Sequence, residues 1–395
     1  GAIINAGAGA LDIIEISENI AGNTTYTLDA TRITGAEKLT ILEDEHGNIA
    51  VNLLTGMTTL ATTDDAGSGT KTITVTGTAA QLNALTSTTF ANTGAAQTLT
   101  LSAAGVVDLT DLTFANAAGF AGSTGDDTLT ITDAAADSRI LNGGTGTDIL
   151  NISTALSGTD HLDVVVGFET INLAGAANSL TVVDANFATS TSATISGAAL
   201  TAALTVDAAL EADVTTLTIV GSAFGDTITG TGGGKTVVTA GAGNDAINNT
   251  ASGGVMTVDL GDGADVFRID VDATAADVIS GGFVGGTAGD RIQIDTTVAG
   301  IGGSIIVAGA GVTDLGNGGQ AVVFQIIDQA AEAIAAGTNM LVLAAGTYAN
   351  AAAAVAALNA GGALASATIP TTSSTAVADN SEFLVIYENT DGDAV

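Results

Sequence analysis

The sequence predicts an all-β chain: a repeat-built parallel β-roll or β-helix-like solenoid, with additional β-rich segments and a short C-terminal helix. Short runs in which Thr alternates with Val, Ile or Leu are typical of strands with one solvent-facing side. Examples are TYTLDAT, EKLTILED, KTITVTG and QTLTLSA. Glycine-rich turns separate such runs, and beyond residue 220 they return about every nine residues. A fixed period of this kind indicates stacked structural units.

The charge balance restricts the partners of the chain. It carries 42 acidic residues against 7 basic ones, a formal net charge of −35. Phosphate recognition needs clustered Lys and Arg, so nucleic acids and anionic membrane surfaces are not expected as partners. An acidic surplus serves either general solubility or the binding of divalent cations.

The chain has no cysteine. This suits a protein that works outside the cell without disulfides or crosses a membrane unfolded, although cytosolic proteins also lack cysteine. No basic segment followed by an apolar core opens the sequence, so no cleavable signal peptide is expected. No run of 18 apolar residues occurs, and the chain is therefore not expected to be transmembrane.

The pattern divides the chain into four segments. They are a β-rich N-terminal segment (1–120), a solenoid-like segment with two glycine–aspartate turns (121–220), a roll with its following cap segment (221–295), and a C-terminal β-rich segment with an Ala-rich helix near 350–359 (296–395).

Two local patterns support this division. TAAQLNAL (78–85) predicts a short helix in which Thr78 is the N-cap. GFETINL (167–173) repeats the form of TGAEKLTIL (34–42), a glycine, a glutamate and an alternating strand. A motif that recurs at such a distance favours stacked β-units over a sandwich of unique strands.

The repeats are nonapeptides with a glycine-rich first half and a β-prone second half. They are GSTGDDTLT (122–130), GGTGTDILN (143–151), GSAFGDTIT (221–229), GTGGGKTVV (230–238), AGAGNDAIN (240–248), ASGGVMTVD (251–259) and LGDGADVFR (260–268). They resemble the RTX nonapeptide G-G-x-G-x-D-x-U-x, in which U is a large apolar residue and which builds a calcium-binding parallel β-roll. GGTGTDILN matches this pattern at every fixed position.

The residue types in this repeat suit calcium. Calcium takes six to eight oxygen ligands at roughly 2.3–2.6 Å, from carboxylates and backbone carbonyls. Glycines permit positive φ and let carbonyls point into the loop, and the aspartate supplies charge. The metal site residues expected on this basis are Gly125, Asp127, Gly144, Gly146, Asp148, Gly221, Asp226, Gly241, Gly243, Asp245, Gly261, Gly263 and Asp265. The alternative is that the aspartates are ordinary solvated turn residues.

The eighth residue of each unit is expected to point inward and form a thin core. These residues are Leu129, Leu150, Ile228, Ile247, Val258 and Phe267.

Spacing predicts which aspartates stack. Successive nonapeptide turns lie on opposite edges of a roll, so partners are about 18 residues apart. Asp226, Asp245 and Asp265 are 19 and 20 residues apart and should line one edge, with calcium between each neighbouring pair. Asp127 and Asp148, 21 residues apart, should form a similar pair.

The opposite edge of the roll is expected to hold no calcium. There Lys235 and Met256 are predicted to occupy the position that aspartate takes in the other turns.

The segments after the roll extend the resemblance. ADVISGGFVGGTAGDRIQID (276–295) is similar to the segment that commonly follows RTX repeats. GTNMLVLAAGTYAN and FLVIYENTDGDAV each predict a further strand. The chain from about residue 120 to 395 thus resembles the calcium-dependent S-layer and large RTX surface proteins of Gram-negative bacteria, which are exported by type I secretion.

That resemblance implies a structural function. It implies an extracellular protein with an uncleaved C-terminal export signal, calcium-triggered folding, and self-assembly at the cell surface. A cell-surface glycan or lipopolysaccharide is an expected anchoring partner. The chain departs from a strong RTX array because few repeats match fully, so calcium is expected to clamp individual joints.

Other classes remain open. A secreted enzyme is disfavoured because H-E-x-x-H, G-x-S-x-G and cysteine are all missing from the sequence, which leaves His46 and His161 as the histidines available to a catalytic site. TGTGGGKT (229–236) is close to a Walker A motif but leads into a strand. An adhesin or an extracellular filament subunit is the stronger alternative, and the sequence does not choose between filament and sheet assembly.

Overall fold

A computed structural model describes most of the first 295 residues and three later strands. The described residues are 4–5, 12–18, 24–43, 48–64, 72–90, 96–112, 118–132, 140–156, 165–187, 192–249, 254–270, 277–283, 290–295, 324–327, 340–348 and 384–389. The fold is all-β, and its parallel sheets form a β-solenoid of about nine turns. It divides into two compact units, Gly1–Ala202 with Asp213–Thr215, and Ala203–Ala212 with Thr216–Val395.

The first unit contains strands β1 to β19 and two short helices among its described residues. The strands are β1 Ile4–Asn5, β2 Ile13–Glu18, β3 Thr24–Tyr26, β4 Ile33–Thr34, β5 Lys38–Glu43, β6 Ile49–Asn52, β7 Thr59–Asp64, β8 Thr72–Gly77, β9 Ser87–Phe90, β10 Ala96–Leu101, β11 Val106–Asp108, β12 Ala118–Ala121, β13 Thr128–Ile131, β14 Leu141–Asn142, β15 Ile149–Ile152, β16 Val165–Val166, β17 Thr170–Gly175, β18 Asn178–Val183 and β19 Ser192–Leu200. The helices are α1 Ala79–Asn83 and α2 Asp184–Phe187.

The second unit contains strands β20 to β31. They are β20 Leu204–Leu210, β21 Thr216–Val220, β22 Thr227–Thr229, β23 Lys235–Thr239, β24 Ala246–Asn248, β25 Val255–Asp259, β26 Val266–Asp270, β27 Val278–Gly281, β28 Arg291–Asp295, β29 Phe324–Ile327, β30 Met340–Tyr348 and β31 Leu384–Asn389.

Every pair of neighbouring strands with a defined register is parallel, and each strand pairs with the equivalent strand of the next coil. In the first unit the orders are β16-β14-β12-β10-β8-β6-β3, β2-β5-β7-β9 and β11-β13-β15-β17-β19. In the second unit they are β20-β22-β24-β26-β28, β21-β23-β25-β27 and β29-β30-β31. Pairing between successive coils is the arrangement expected of a solenoid.

The core consists of inward columns of aliphatic side chains. Leu129 pairs with Leu150, and Leu150 pairs with Ile171 in the next coil; all three side chains are fully buried. In the second unit Ile228, Ile247 and Phe267 form an equivalent buried column. Full burial of such a side chain contributes about 1.5–3 kcal/mol. The prediction that Leu129, Leu150, Ile228, Ile247, Val258 and Phe267 point inward is therefore confirmed.

Helix α1 closes the edge of one sheet. Strand β11 is the first strand of its sheet, and the Asn83 carboxamide pairs with it where a neighbouring strand would otherwise lie. Asn83 Nδ2 donates to the Val106 carbonyl at 2.9 Å, and the Asp108 N–H donates to Asn83 Oδ1 at 2.7 Å. The Asn83 side chain therefore satisfies backbone groups of β11 that could otherwise pair with a strand of another chain.

The local predictions for the N-terminal segment hold with one exception. Thr78 caps α1 as predicted, because its side chain accepts the Gln81 N–H and Gln81 bonds back to the Thr78 N–H. Three of the four quoted alternating runs correspond to β5, β8 and β10, and the two late strands correspond to β30 and β31. The exception is TYTLDAT, in which strand β3 ends at Tyr26 and Asp29 Oδ1 accepts the Thr31 N–H in a turn. The helix predicted near 350–359 lies outside the described residues.

Candidate functional site

Acidic residues form two columns, one in each unit, and the aspartates in them are buried. Each residue directly precedes the strand of its coil, so parallel pairing places equivalent carboxylates one above the next. The first column consists of Asp127, Asp148 and Glu169, before β13, β15 and β17, and the second of Asp226, Asp245, Asp265 and Asp290, before β22, β24, β26 and β28. The six aspartates are at most 1% exposed.

In the second column each carboxylate after Asp226 accepts the backbone N–H of the aspartate one coil earlier. The Asp226 N–H donates to Asp245 Oδ1 at 2.7 Å, and the Asp245 N–H donates to Asp265 Oδ1 at 2.8 Å. The Asp265 N–H donates to Asp290 Oδ1 at 2.8 Å. Each carboxylate therefore links its own coil to the preceding one.

The first column repeats this geometry. The Asp127 N–H donates to Asp148 Oδ1 at 2.8 Å, and the Asp148 N–H donates to Glu169 Oε2 at 2.7 Å. A buried N–H needs a partner, and without one it costs about 1–3 kcal/mol. The carboxylate supplies that partner where the loop interrupts the regular ladder.

The glycines let neighbouring loops touch. A Cβ placed on Gly241 would lie 2.1 Å from the carbonyl oxygen of Ser222, and Gly241 has a φ of +106°. Both the close approach and the left-handed backbone exclude other residues there. The eight predicted glycines lie in these loops: Gly125, Gly144, Gly146, Gly221, Gly241, Gly243, Gly261 and Gly263.

The carboxylates differ in whether their second oxygen has a partner. Oδ2 of Asp148, Asp245 and Asp265 is buried without a hydrogen-bond partner. By contrast, both oxygens of Asp226 are used: Oδ1 accepts from the Leu204 N–H and from Ser222 Oγ, each at 2.7 Å, and Oδ2 accepts the Ser222 N–H at 2.6 Å.

Burial and crowding of negative charge raise the pKa of the open carboxylates. Burial raises the pKa of Asp148 to about 6, with further contributions from the negative charges of Asp127 and Glu169. Burial likewise raises the pKa of Asp245 to about 6, and the charges of Asp226 and Asp265 add to it. In each case the backbone hydrogen bond to the carboxylate opposes the shift. Burial also raises the pKa of Asp265.

These open oxygens are the atoms that can bind a cation. An uncompensated buried carboxylate is costly, and it is relieved either by a proton or by a metal ion. Among the residues that the structure describes, no group of three or more His, Cys, Asp or Glu side chains could hold a metal by itself. Calcium at Asp148, Asp245 or Asp265 would therefore take its remaining ligands from loop carbonyls and water.

The stacking predicted from spacing is confirmed for both aspartate sets. Asp226, Asp245 and Asp265 lie in one column, and Asp127 lies above Asp148.

Two members of the columns, Asp290 and Glu169, were not among the site residues predicted from the sequence. Asp290 lies in GDRIQID, and Glu169 lies in GFETINL, the segment whose glutamate recurs as Glu37 in TGAEKLTIL. Glu37 has the same role, since its Oε2 accepts the Asp12 N–H at 2.8 Å. The recurrence of G-x-E before a strand was therefore the signal for a capping carboxylate.

The prediction for the opposite edge was right for Met256 and one residue out of register for Lys235. Lys235 pairs with Val255 and is exposed, whereas Thr236 pairs with Met256, and both of these are buried. The loop of GTGGGKTVV has one residue more than the loops of the other nonapeptides. The first buried residue of its strand is therefore Thr236. The Met256 N–H donates to Asp277 Oδ1 at 2.8 Å, so a capping carboxylate occurs on this edge as well.

Two histidines and one glycine-rich motif were weighed for a catalytic or nucleotide site. His46 and His161 lie outside the described residues. TGTGGGKT leads into strand β23, and in it the Thr231 N–H donates to the buried Thr236 Oγ1 at 2.9 Å.

No family model, curated protein or solved structure matches this chain significantly. In the part of the chain that the structure describes, neither helix is long enough to cross a membrane.

Asp226→Asn and Asp245→Asn should have different effects in chelator at pH 7. In Asp226→Asn an amide NH₂ would face an N–H donor, which should cost about 1–3 kcal/mol. In Asp245→Asn the amide oxygen can still accept the Asp226 N–H, while a buried charge is removed, so we expect little loss or a gain. Urea denaturation of both variants measures this, and equal losses would contradict the assignment of open and closed carboxylates.

The metal-free protein should be more stable at pH 5 than at pH 7. Asp148 and Asp245 have a folded pKa near 6, above an unfolded value of about 3.9. The folded state then binds more protons, so this stability is complete below the unfolded pKa and is lost as pH rises through about 6.

The double variant Asp148→Asn/Asp245→Asn is the control, because its pH dependence should be flatter than that of the unsubstituted protein. Urea denaturation between pH 4.5 and 7.5 in chelator provides the comparison. Parallel pH profiles for the two proteins would show that these carboxylates do not titrate as stated.

Proposed function

We propose that this protein is a structural, extracellular, RTX-type subunit that folds with calcium and self-assembles at the bacterial cell surface, as S-layer subunits do. The observation that carries the proposal is the buried, unpartnered carboxylate oxygen repeated along stacked glycine loops. The negative charge of such buried oxygens is not compensated by any hydrogen bond, and a bound cation would compensate it. In this proposal calcium is the cofactor and further copies of the chain are the main partner.

Calcium is preferred to other cations because of the ligand set. The loops offer carboxylate and carbonyl oxygens, which suit a hard cation with a flexible coordination number. The chain has no cysteine, and no His or Cys lies in the carboxylate columns, so the site lacks the ligands that zinc and copper favour. When bound, calcium would neutralise the carboxylates and link adjacent loops, and Asp148, Asp245 and Asp265 would hold it.

The outward face of the solenoid suits a mechanical function. On it Asn172 Nδ2 donates to Asn151 Oδ1 at 2.9 Å, and Asn151 Nδ2 donates to Thr130 Oγ1 at 3.3 Å. This row of side chains ties three successive coils together on the outside, as the carboxylates do in the loops. A rigid body with repeated surface features favours ordered contact with further copies of itself.

A calcium-triggered fold also fits export. Low cytosolic calcium would leave the carboxylates mutually repulsive and the fold only marginally stable during type I secretion, and external calcium would stabilise the folded chain. The anchoring partner in this proposal is a cell-surface glycan or lipopolysaccharide.

A filament subunit or an RTX adhesin is the second candidate, since either would use the same calcium-stiffened solenoid. The non-catalytic part of a secreted enzyme ranks below both. These classes differ in how the copies associate, which the second experiment below addresses.

Millimolar calcium added to chelated protein at pH 7 should raise the β signal in circular dichroism and the melting temperature. The reason is that the ion compensates buried negative charge that is otherwise uncompensated. Magnesium at the same concentration is the control and should have a smaller effect, because it requires tighter octahedral geometry. An unchanged melting temperature with calcium would refute calcium-dependent folding.

Electron microscopy of the full chain with calcium should show ordered two-dimensional sheets, and the same protein in chelator should not. Fibres would favour the filament subunit. Dispersed, folded monomers at high protein concentration would argue against self-assembly and for an adhesin.

A further inference from the structure

The five aspartates at the sixth position of the nonapeptides, here called the repeat aspartates, fall into two classes, and the class follows the second residue of the nonapeptide. Asp127 and Asp226 belong to GSTGDDTLT and GSAFGDTIT, where the second residue is serine. Asp148, Asp245 and Asp265 belong to units whose second residue is glycine. Only the aspartates of the glycine class have a buried Oδ2 without a partner, among the repeat aspartates that the structure describes.

In the serine class the loop satisfies its own carboxylate. The Ser123 N–H donates to Asp127 Oδ2, and the Ser222 N–H donates to Asp226 Oδ2, both at 2.6 Å. These distances are short, as expected for a charged acceptor. The Ser222 hydroxyl also donates to Asp226 Oδ1 at 2.7 Å.

In the glycine class the backbone N–H of the second residue does not donate to the Oδ2 atom of the aspartate. Gly144, Gly241 and Gly261 have φ values of +105°, +106° and +78°, which serine disfavours because of its Cβ. The Gly144 N–H donates to Asn142 Oδ1 at 2.9 Å, and the Gly261 N–H donates to Asp259 Oδ1 at 3.2 Å. The carboxylate of these coils thereby loses the donor that would occupy Oδ2.

We propose that the second residue of each nonapeptide decides whether its coil binds calcium: glycine leaves the carboxylate open for the ion, and serine closes it with a backbone N–H. Asp148, Asp245 and Asp265 are then calcium ligands, while Asp127 and Asp226 are capping groups that bind no ion. This inference rests on the proposed calcium binding and adds which coils take part in it. The sequence predicts a calcium ion shared by Asp226 and Asp245. Under this inference Asp245 is the one of the two that binds the ion.

The test counts calcium bound to the full chain by equilibrium dialysis against calcium chloride followed by elemental analysis. Ser222→Gly should bind one more calcium ion per chain than the unsubstituted protein, because the left-handed backbone becomes accessible and the hydroxyl donor is lost. Ser222→Ala is the matched control. It loses the same hydroxyl but keeps a Cβ, so its ion count should not change.

A second pair of variants tests the sorting without changing the second residue of any nonapeptide. Asp245→Asn should lower the ion count, and Asp226→Asn should leave it unchanged, with circular dichroism confirming that both variants are folded. An equal loss in the two variants would overturn the sorting.

The outcomes separate this inference from the proposed function. No calcium bound to the unsubstituted protein would refute both. Calcium bound by the unsubstituted protein, with an equal count in Ser222→Gly or a gain in Ser222→Ala, would overturn the serine–glycine rule alone.

Discussion

The fold depends on one repeated hydrogen bond, from a backbone N–H in one coil to a carboxylate in the next. A parallel ladder pairs strand residues well, but it ends where each coil turns into its loop. At that point the Ala246 N–H still donates to the Asp226 carbonyl at 2.8 Å. The Asp226 N–H, however, donates to a side chain of the next coil and not to its backbone. The Asp245 carboxylate accepts it. Both backbone groups of Asp226 are thus satisfied where the ladder ends.

The same bond explains the electrostatic behaviour of the molecule. A capping carboxylate must be buried to reach its N–H, and stacking coils at the spacing of a β-sheet places each negative charge close to the next. One N–H donor stabilises such an anion only in part, so the pKa of Asp148 and Asp245 stays raised. The loops that add a second donor through serine remove this conflict locally. The same few side chains therefore set both the stability and the proposed cation affinity.

Much of this architecture could be predicted from the sequence because its period is short and its glycines are restrictive. Alternation of Thr with aliphatic residues identified strands such as β8 and β10, and the spacing of Asp226, Asp245 and Asp265 gave the correct column. The register of the opposite edge was harder to predict from the sequence, because one additional loop residue moves the buried position from Lys235 to Thr236. The hydrogen bonds could not be predicted, because which oxygen of Asp226 faces Ser222 depends on backbone geometry within the loop. Glu169 and Glu37 could have been assigned from their shared G-x-E pattern.

The most direct measurement is a pair of high-resolution crystal structures of the full chain, one grown in chelator and one in calcium. In both structures the Asp226 N–H should donate to Asp245 Oδ1, and in the calcium crystal alone an ion should contact Asp245 Oδ2. An Asp245 side chain turned away from the Asp226 N–H in the chelated crystal would contradict the account, because the coils would then be joined by something other than this bond.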